Sequence, residues 1–529
     1  MWEVSTLIKN AVGRELPEMI GNYKVKPYTG IEGDCSSAKP VASARHLATV
    51  RPGDRKLQPG LKEAVTASGL KDGMTISFHH SFREGDQIIG QVLTAIKELG
   101  IKGLKFAPSA VVNIKNPSIV DFVKDGTIVR IEASGIRGEL GDAVLDGVME
   151  EPVILRPHGA RPRAIEAGEL SVDVAFIGAS AADDYGNATG LVGPNACGAL
   201  GYSFIDAMTA GKVIIVTDNL VEYPCIPISI SQEYVDYVVV VDSIGDTAKI
   251  GAGAARVTKN PRDLLIAKRA AEVMAASRRF TDGFVFQTGA GAISIACTKY
   301  LEEKMEERGV KASMALGGIP AAIVEMHEKG LVRTVACSQS FDAVAAKAIV
   351  DYPGIIEIDN SLYANPGRKG CMLNRETFGV LAALEVDTDF NVNILTGCSG
   401  EMMGGLGGGP DVAAGAQISI VVLPIVRGRI PSVVKKVFTC CTPGDTVAVV
   451  ITEAGIALNP RHKNYQELKE DLEKTNLKLV TIEELRLIAE GMTGTPKPIE
   501  CSDKITCIVE YRDGTVLDVI HEIKRPDEL

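Results

Sequence analysis

The sequence predicts an α/β protein of two similar domains, each built on a parallel sheet, with an N-terminal arm and a C-terminal extension of helices and a β-hairpin. Three observations predict it. Runs of β-branched residues such as Val238–Val241 alternate with amphipathic helical stretches, the pattern of parallel strands joined by crossover helices. Five segments recur in the same order at offsets of 204 to 210 residues along the 529-residue chain, as a duplicated unit would. A hydrophobic content of 46% gives such a chain core material for more than one domain.

The elements follow in order. Residues 1–60 read as a helix and then an irregular arm, because 29–60 are rich in Gly, Pro, Ser and Thr. The first domain, 61–259, opens with DGMTISFHH from residue 72, a short strand, then a turn, the helical GDQIIGQVLTAIKELG and a second strand. The second domain, 260–460, begins with a helix after Asn260-Pro261 and repeats the same plan from residue 282 in DGFVFQTGAG and AISIACTKYLEEKMEERG. Further pairs are KDGTIVRI (124–131) with EKGLVRTV (328–335), and VAFIGASAADDYGN (174–187) with VLAALEVDTDF (380–390). GKVIIVTDN (211–219) pairs with AQISIVVLP (416–424), and VDYVVVVDSIG (235–245) with GDTVAVVITEAG (444–455). Residues 461–529 read as two helices, the second opened by a Thr481/Glu484 capping box, and a hairpin turning at Asp513-Gly514.

Composition excludes several function classes. Lys and Arg total 56 against 67 Asp and Glu, a net charge of −11 without a basic run, which disfavours nucleic-acid and anionic-membrane partners. Aromatic residues are 5% of the chain, too few for base-stacking platforms. The N-terminal residues lack a signal-peptide layout and no run approaches the ~18 apolar residues of a membrane span, so a cytoplasmic location is expected. Eleven cysteines without a C-x-x-C pair read as small buried hydrophobes, and no metal site is expected. The 54 glycines are in excess and call for a location.

Strand-to-helix turns are where a parallel sheet binds ligands. HHSFREG (79–85) sets His79, His80 and Arg83 beside a helix start, a candidate carboxylate receptor. TGAGAIS (288–294) carries Gly289 and Gly291, but it lacks the third glycine and the following acid of a dinucleotide fingerprint. GAGAAR (251–256) is weaker still. GEMMGGLGGGPDVAAGAQ (400–417) holds Gly404, Gly405, Gly407 and Gly408, whose amides suit an oxyanion. RPHGARPR (156–163) is read either as an anion site through Arg156, His158, Arg161 and Arg163 or as a solvated basic loop. Asp183–Asn187 reads as a tight turn, and Asp387 and Asp389 as solvent-side acids.

Taken together these stretches resemble the alpha subunits of citrate lyase. The resemblance runs from GRELPEMIGNYKVKPYTG (13–30) to YRDGTVLDVIHEIK (511–524). It is densest in KDGMTISFHHSFREGD, FIGASAADDYGNATG, ALGGIPAAIVEMHEKGLVRT, IDNSLYANP and ITEAGIALNPRHKNYQEL. It implies a fold related to the two-lobed coenzyme A transferases, in which paired halves face each other across a thioester site. It implies acyl exchange on a thiol: acetyl-thioester plus citrate gives citryl-thioester plus acetate. The thiol belongs to a phosphoribosyl-dephospho-coenzyme A arm on a separate acyl-carrier (gamma) subunit, or to free acetyl-coenzyme A. A citryl-thioester lyase (beta) subunit completes an oligomeric complex, and no cofactor is bound permanently by this chain.

On that reading Gly405, Gly407 and Gly408 supply oxyanion donors, and His79, His80, Arg83 and Arg161 bind citrate. Gly289, Gly291, Gly317, Gly318 and Gly404 line the thioester. One departure matters. Many coenzyme A transferases carry a nucleophilic glutamate at a turn that aligns with Ala315-Leu316-Gly317-Gly318, where this chain has Leu316. Direct transfer through a transient mixed anhydride is therefore expected, with Glu385 and Glu401 as the residues an acyl adduct would implicate otherwise. The competing expectations are a coenzyme A transferase for another acid with free coenzyme A and a glutamate nucleophile, a sugar-phosphate or nucleotide binder, and a non-catalytic scaffold subunit.

Overall fold

The computed structural model describes residues 6–31, 50–111, 118–250 and 258–524, so the GAGAAR stretch and most of the expected arm lie outside the described residues. Two sheets organise the molecule. The first contains β1 (Leu57–Gln58), β2 (Thr75–Ser77), β3 (Leu104–Phe106), β4 (Ile128–Ala133), β5 (Val153–Leu155), β6 (Val174–Ala179), β7 (Lys212–Thr217) and β8 (Tyr237–Val240). The second contains β9 (Val285–Thr288), β10 (Ala312–Ile319), β11 (Val332–Ser340), β12 (Ile355–Glu357), β13 (Phe378–Ala382), β14 (Ile418–Val422), β15 (Val449–Ile451), β16 (Ile456–Leu458) and β17 (Leu479–Val480). The C-terminal hairpin, β18 (Cys501–Glu510) and β19 (Val516–Ile523), joins the first sheet.

The order across the 10-stranded sheet is β19-β18-β5-β4-β3-β2-β6-β7-β8-β1, and across the 9-stranded sheet β12-β11-β10-β9-β13-β14-β15-β16-β17. The runs β5-β4-β3-β2-β6-β7-β8 and β12-β11-β10-β9-β13-β14-β15 have the same winding, and every neighbouring pair within them is parallel. All five recurrent sequence pairs fall on equivalent strands, β2 with β9, β4 with β11, β6 with β13, β7 with β14 and β8 with β15. The duplication extends to side chains. After β6, Asp183 accepts from the Tyr185, Gly186 and Asn187 amides, and Asn187 donates back to it at 2.8 Å. Past β13, in the matching turn, Asp387 accepts from the Asp389 and Asn391 amides, and Asn391 donates back at 3.1 Å. The expectation that Asp387 faces solvent is thereby corrected: it is 1% exposed because it closes this turn.

The chain winds in opposite directions from the β2/β6 and β9/β13 boundaries, which are the topological switch points of the two sheets. Helix Pro261–Ala276 begins as expected, with the Asn260 side chain accepting the Arg262 amide at 3.0 Å. Helix Ile482–Thr493 opens on the Thr481/Glu484 capping box.

The N-terminal segment departs from expectation. Within 6–31 the chain makes short antiparallel pairs, Leu7–Lys9 with Glu15–Pro17 and Met19–Ile20 with Tyr23–Lys24, where a helix is expected. Left-handed turns at Gly13 and Gly21, together with Pro17, break the helical path. Leu16, Ile20 and Val25 of this segment pack on Ile508 and Val516 of the hairpin. In the middle of the hairpin successive residues take opposite faces, Cys507 and Val509 entering the first lobe's core while Ile508 meets the N-terminal strands, and register shifts interrupt the alternation on either side. The lobes also interdigitate. Leu395, Met402 and Leu406 leave the second sheet's half of the chain and are buried in the first lobe's core.

Candidate functional site

The two parallel sheets turn the carboxyl ends of their strands toward one cleft of about 720 Å³. It is lined from the first lobe by His80, Arg83, Ser134, Gly135, Arg137, His158 and Tyr202, all on loops or turns that follow strands. From the second come Gln287, the Gly289–Ile293 turn, Ser338, Gln339, Phe341, Leu381–Leu384, Arg262 and Arg427. The 404–409 loop supplies the remaining wall. HHSFREG and TGAGAIS leave β2 and β9, the equivalent switch-point strands of the two lobes, so duplication brings both turns to one cavity.

The cleft is locally basic in an acidic protein. Arg83, Arg137, Arg262 and Arg427 line it, and among the described lining residues the carboxylate is Asp263, held by Arg262 at 3.2 Å and by the Thr258 hydroxyl at 3.1 Å. Arg137 is paired with Glu84 at 3.1 Å. Arg83 has no carboxylate partner within ion-pair distance among the described residues. Its guanidinium lies 5.0 Å from the centre of the Phe341 ring, contributed by the other lobe. Burial, followed by Arg137, lowers its pKa. An anion entering here would offset both effects.

The glycine loop is shaped for close approach. A Cβ on Gly135 would stand 2.2 Å from the Gly405 Cα, so the two lobes touch backbone to backbone at this point. Leu406 N–H donates to the Ser134 carbonyl at 2.7 Å, and the Gly407 carbonyl accepts the His158 N–H at 2.8 Å. The amides of Gly405, Gly407 and Gly408 have no carbonyl or side-chain acceptor among the described residues. Gly404 donates to Leu395 at 3.2 Å. Gly318 has a steric duty, since a Cβ there would meet the Phe341 ring at 2.0 Å, and Gly291 packs against Ala382 at 2.6 Å in the same sense. Gly289 lines the cleft and donates to the Val380 carbonyl at 2.9 Å. Gly317, at φ 95°, lies under the Gln287 side chain and does not line the cavity.

Two predicted anion ligands are elsewhere. Arg161 donates to both oxygens of Asp206, at 3.0 and 2.9 Å, and to Ser77 and the Ala107 carbonyl. His79 Nε2 lies 2.5 Å from the same carboxylate. Burial pushes the Asp206 carboxyl up, but Arg161 and His79 outweigh it and hold it well below the usual range. Both residues are thus occupied by a buried carboxylate behind the cleft, which corrects the expectation that they bind substrate. The rest of RPHGARPR is likewise neither solvated nor free. Arg156 is buried between Glu132 and Glu510, and Arg163 is bidentate with Glu169 at 3.0 and 2.7 Å. Only His158 of that stretch lines the cleft.

No glutamate lines the cleft among the described residues. Leu316 is fully buried on β10. Glu385 accepts from Asn393 at 2.9 Å and Glu401 from Ser399 at 2.5 Å, both away from the lining. Tyr202, Arg262, Arg427, Phe341 and Gln339 carry no sequence signal, because each sits in an unremarkable stretch and reaches the cleft only through the fold. No helix is long and apolar enough to cross a membrane, and no metal-binding cluster is found, among the described residues.

Comparison with known proteins gives concordant matches. The family model described as citrate lyase, alpha subunit (CitF) matches residues 54–523. The citrate lyase alpha chain of Haemophilus influenzae is 47% identical over 471 residues, covering 89% of this chain and 93% of the relative. That of Escherichia coli is also 47% identical, covering 89% and 92%. A Streptococcus mutans crystal structure assigned to the alpha subunit of citrate lyase, in complex with citrate, superposes with a TM-score of 0.93 at 45% identity, covering 98% of this chain and 100% of that one. A Pseudomonas malonate decarboxylase hetero-tetramer shares the fold at a TM-score of 0.62 and 15% identity, covering 84% of each chain.

Proposed function

The chain belongs to the citrate lyase alpha-subunit family, and from that premise we propose that it moves citrate onto the thiol of an acyl carrier, converting acetyl-thioester and citrate to citryl-thioester and acetate. The observation that carries this reading is the composition of the interlobar cleft: unpaired Arg83, three further arginines, a loop of unclaimed amides and no glutamate among its described lining residues. The solved relative's complex with citrate supports the same substrate.

Citrate binds through a carboxylate at Arg83, whose backbone sits at φ 49° and whose side chain is braced on Phe341. A second citrate carboxylate attacks the acetyl carbonyl. Charge then gathers on that oxygen, where the Gly405, Gly407 and Gly408 amides can receive it; a single such donor is typically worth about 3 kcal/mol. Collapse breaks the C–S bond, giving an acetyl–citryl anhydride and the carrier thiolate. The thiolate adds to the citryl carbonyl, the C–O bond on the citryl side breaks, and acetate leaves. The absence of a glutamate from the described lining favours this direct route over an acyl-enzyme.

The thiol is that of a phosphoribosyl-dephospho-coenzyme A arm on the gamma subunit, and a beta subunit cleaves the citryl product. The Gly289–Gly291 turn, Gly318 and Gly404 form the walls along which that arm lies, and free acetyl-coenzyme A is its simplest substitute. The test mixes the purified chain with citrate and acetyl-carrier and looks for citryl-thioester by mass spectrometry. Its formation is expected; its absence with competent carrier would overturn the reading.

A further inference from the structure

Three rings meet at the first-lobe wall of the cleft. His80 and Tyr202 lie 4.5 Å apart between centroids, His158 and Tyr202 4.8 Å, and the two imidazoles 5.6 Å. Each imidazole is held at its Nδ1 by a hydroxyl from another element. Ser109, fully buried after β3, places its Oγ 2.6 Å from His80 Nδ1, and the same oxygen accepts the His80 backbone N–H at 3.2 Å. Tyr202, just before helix Ser203–Thr209, places its hydroxyl 2.7 Å from His158 Nδ1. The Ser109 hydroxyl has no other acceptor within hydrogen-bond distance among the described residues, and the Asn360 side-chain amide beside the Tyr202 hydroxyl acts on it as a donor, which leaves the tyrosine proton for His158. Each hydroxyl therefore has one place to send its proton, the imidazole Nδ1, and a neutral ring so engaged carries its own hydrogen on Nε2.

We propose that His80 and His158 work as a pair of neutral hydrogen-bond donors, each presenting Nε2–H to the cleft, and that Ser109 and Tyr202 are positioning residues that fix this tautomer. The His158 ring lies beside the glycine loop, 3.9 Å from where a Cβ on Gly407 or Gly408 would stand, so its donor and those amides are placed to receive together the charge that builds during transfer. This rests on the transferase reading above. The surroundings oppose charging either ring. Around His80 stand His158, Arg83, His79 and Arg137, and around His158 stand Arg83 and Arg161. Burial is the larger effect at both, holding His80 well below its ordinary value and His158 down to about 3. A neutral imidazole beside Arg83 also keeps that guanidinium from facing a second cation, while still offering a hydrogen bond to an anion.

The experiment uses the full chain, selectively labelled with 15N-histidine and observed without substrate, alongside single-residue variants. Neutral Nε2–H rings are expected for His80 and His158 between pH 6 and 8. Tyr202→Phe is expected to unfold at nearly the same temperature, to shift the His158 signal toward the other tautomer, and to lose about 10–100-fold in kcat with KM for citrate little changed. His158→Gln, which retains an amide donor, is expected to keep more activity than His158→Ala. An Nδ1–H or charged His158 in the unmutated chain, or Tyr202→Phe with full kcat, would overturn the proposal. Acyl exchange is measured separately on the unmutated chain: its absence would count against the transferase reading, while the tautomer, read without substrate, would be unaffected.

Discussion

At Arg83 a non-glycine residue adopts a left-handed backbone, φ 49°, at the start of a 3₁₀ turn. Such a conformation costs about 1–3 kcal/mol and persists where the surroundings impose it. Here the surroundings are Gly85 and Asp86, whose side chain accepts the Ile88 and Ile89 amides at 3.1 Å, and Phe341 opposite. The strain turns the guanidinium into the cleft instead of toward a carboxylate. Arg83→Gln is therefore expected to raise KM for citrate by about 10–100-fold, the loss of a charge-assisted hydrogen bond, with unfolding nearly unchanged. Initial rates against citrate concentration check it, and an unchanged KM would remove Arg83 from the binding site. His158 carries a different signature. Its folded pKa of about 3 lies below the ordinary 6.5, so the unfolded chain binds the extra proton between those values. The stability contributed by keeping this ring neutral is whole above pH 6.5 and drains as pH falls toward 3. Urea unfolding of His158→Asn and the unmutated chain at pH 7 and pH 5 is expected to show the shallower loss in the variant; equal losses would contradict it.

At the scale of elements, the decisive contact is between loops. The 404–409 segment belongs in sequence to the second lobe but is bonded to Ser134 and His158 of the first. Its Leu406 is a first-lobe core residue. Glycine is required on both sides, because a Cβ at Gly135 would meet Gly405 Cα at 2.2 Å and backbone cannot swing aside. Gly135→Ala is expected to destabilise the protein by about 1–3 kcal/mol and to cost activity, since the Gly405, Gly407 and Gly408 amides, the proposed oxyanion donors, move with the loop. Gly370→Ala, where nothing lies within 4 Å, is the matched control and is expected to be neutral in both respects. Thermal unfolding together with exchange rates separates the two. Much at this scale was legible in the sequence. Strand runs, crossover helices, the capping box and the hairpin follow local periodicity. The edge that the hairpin would join was not legible, because alternation of Cys507 and Ile508 states that two faces are buried without stating against what. RPHGARPR misled for the same reason: four basic or imidazole residues within eight positions look like one patch, yet Glu132, Asp206 and Glu510 from other elements, and Glu169 just past the same helix, claim the arginines.

At the scale of the whole molecule, duplication does what neither lobe does alone. Each sheet brings one switch-point turn to the cleft, His79–Gly85 in one and Gly289–Ile293 in the other, and the glycine loop joins the lobes across it. The five recurrent segments made that two-lobed plan readable before any geometry. Tyr202, Arg262 and Arg427 were not readable, since they come from separate elements and share no spacing. The net charge of −11 resolves in the same way, for the acidic residues lie mostly outside a cavity whose described lining holds four arginines and one aspartate.

Direct transfer makes a claim about a single oxygen atom. In the anhydride route the bridging oxygen comes from citrate and departs with acetate, because the final C–O cleavage is on the citryl side. A single turnover of unlabelled protein with acetyl-carrier and citrate labelled with 18O in its carboxylates, followed by mass spectrometry of the acetate, reads that atom directly. We expect citryl-carrier together with acetate bearing one 18O. Citryl-carrier formed with unlabelled acetate, and with 18O retained on an enzyme glutamate, would contradict direct transfer and restore a covalent acyl-enzyme.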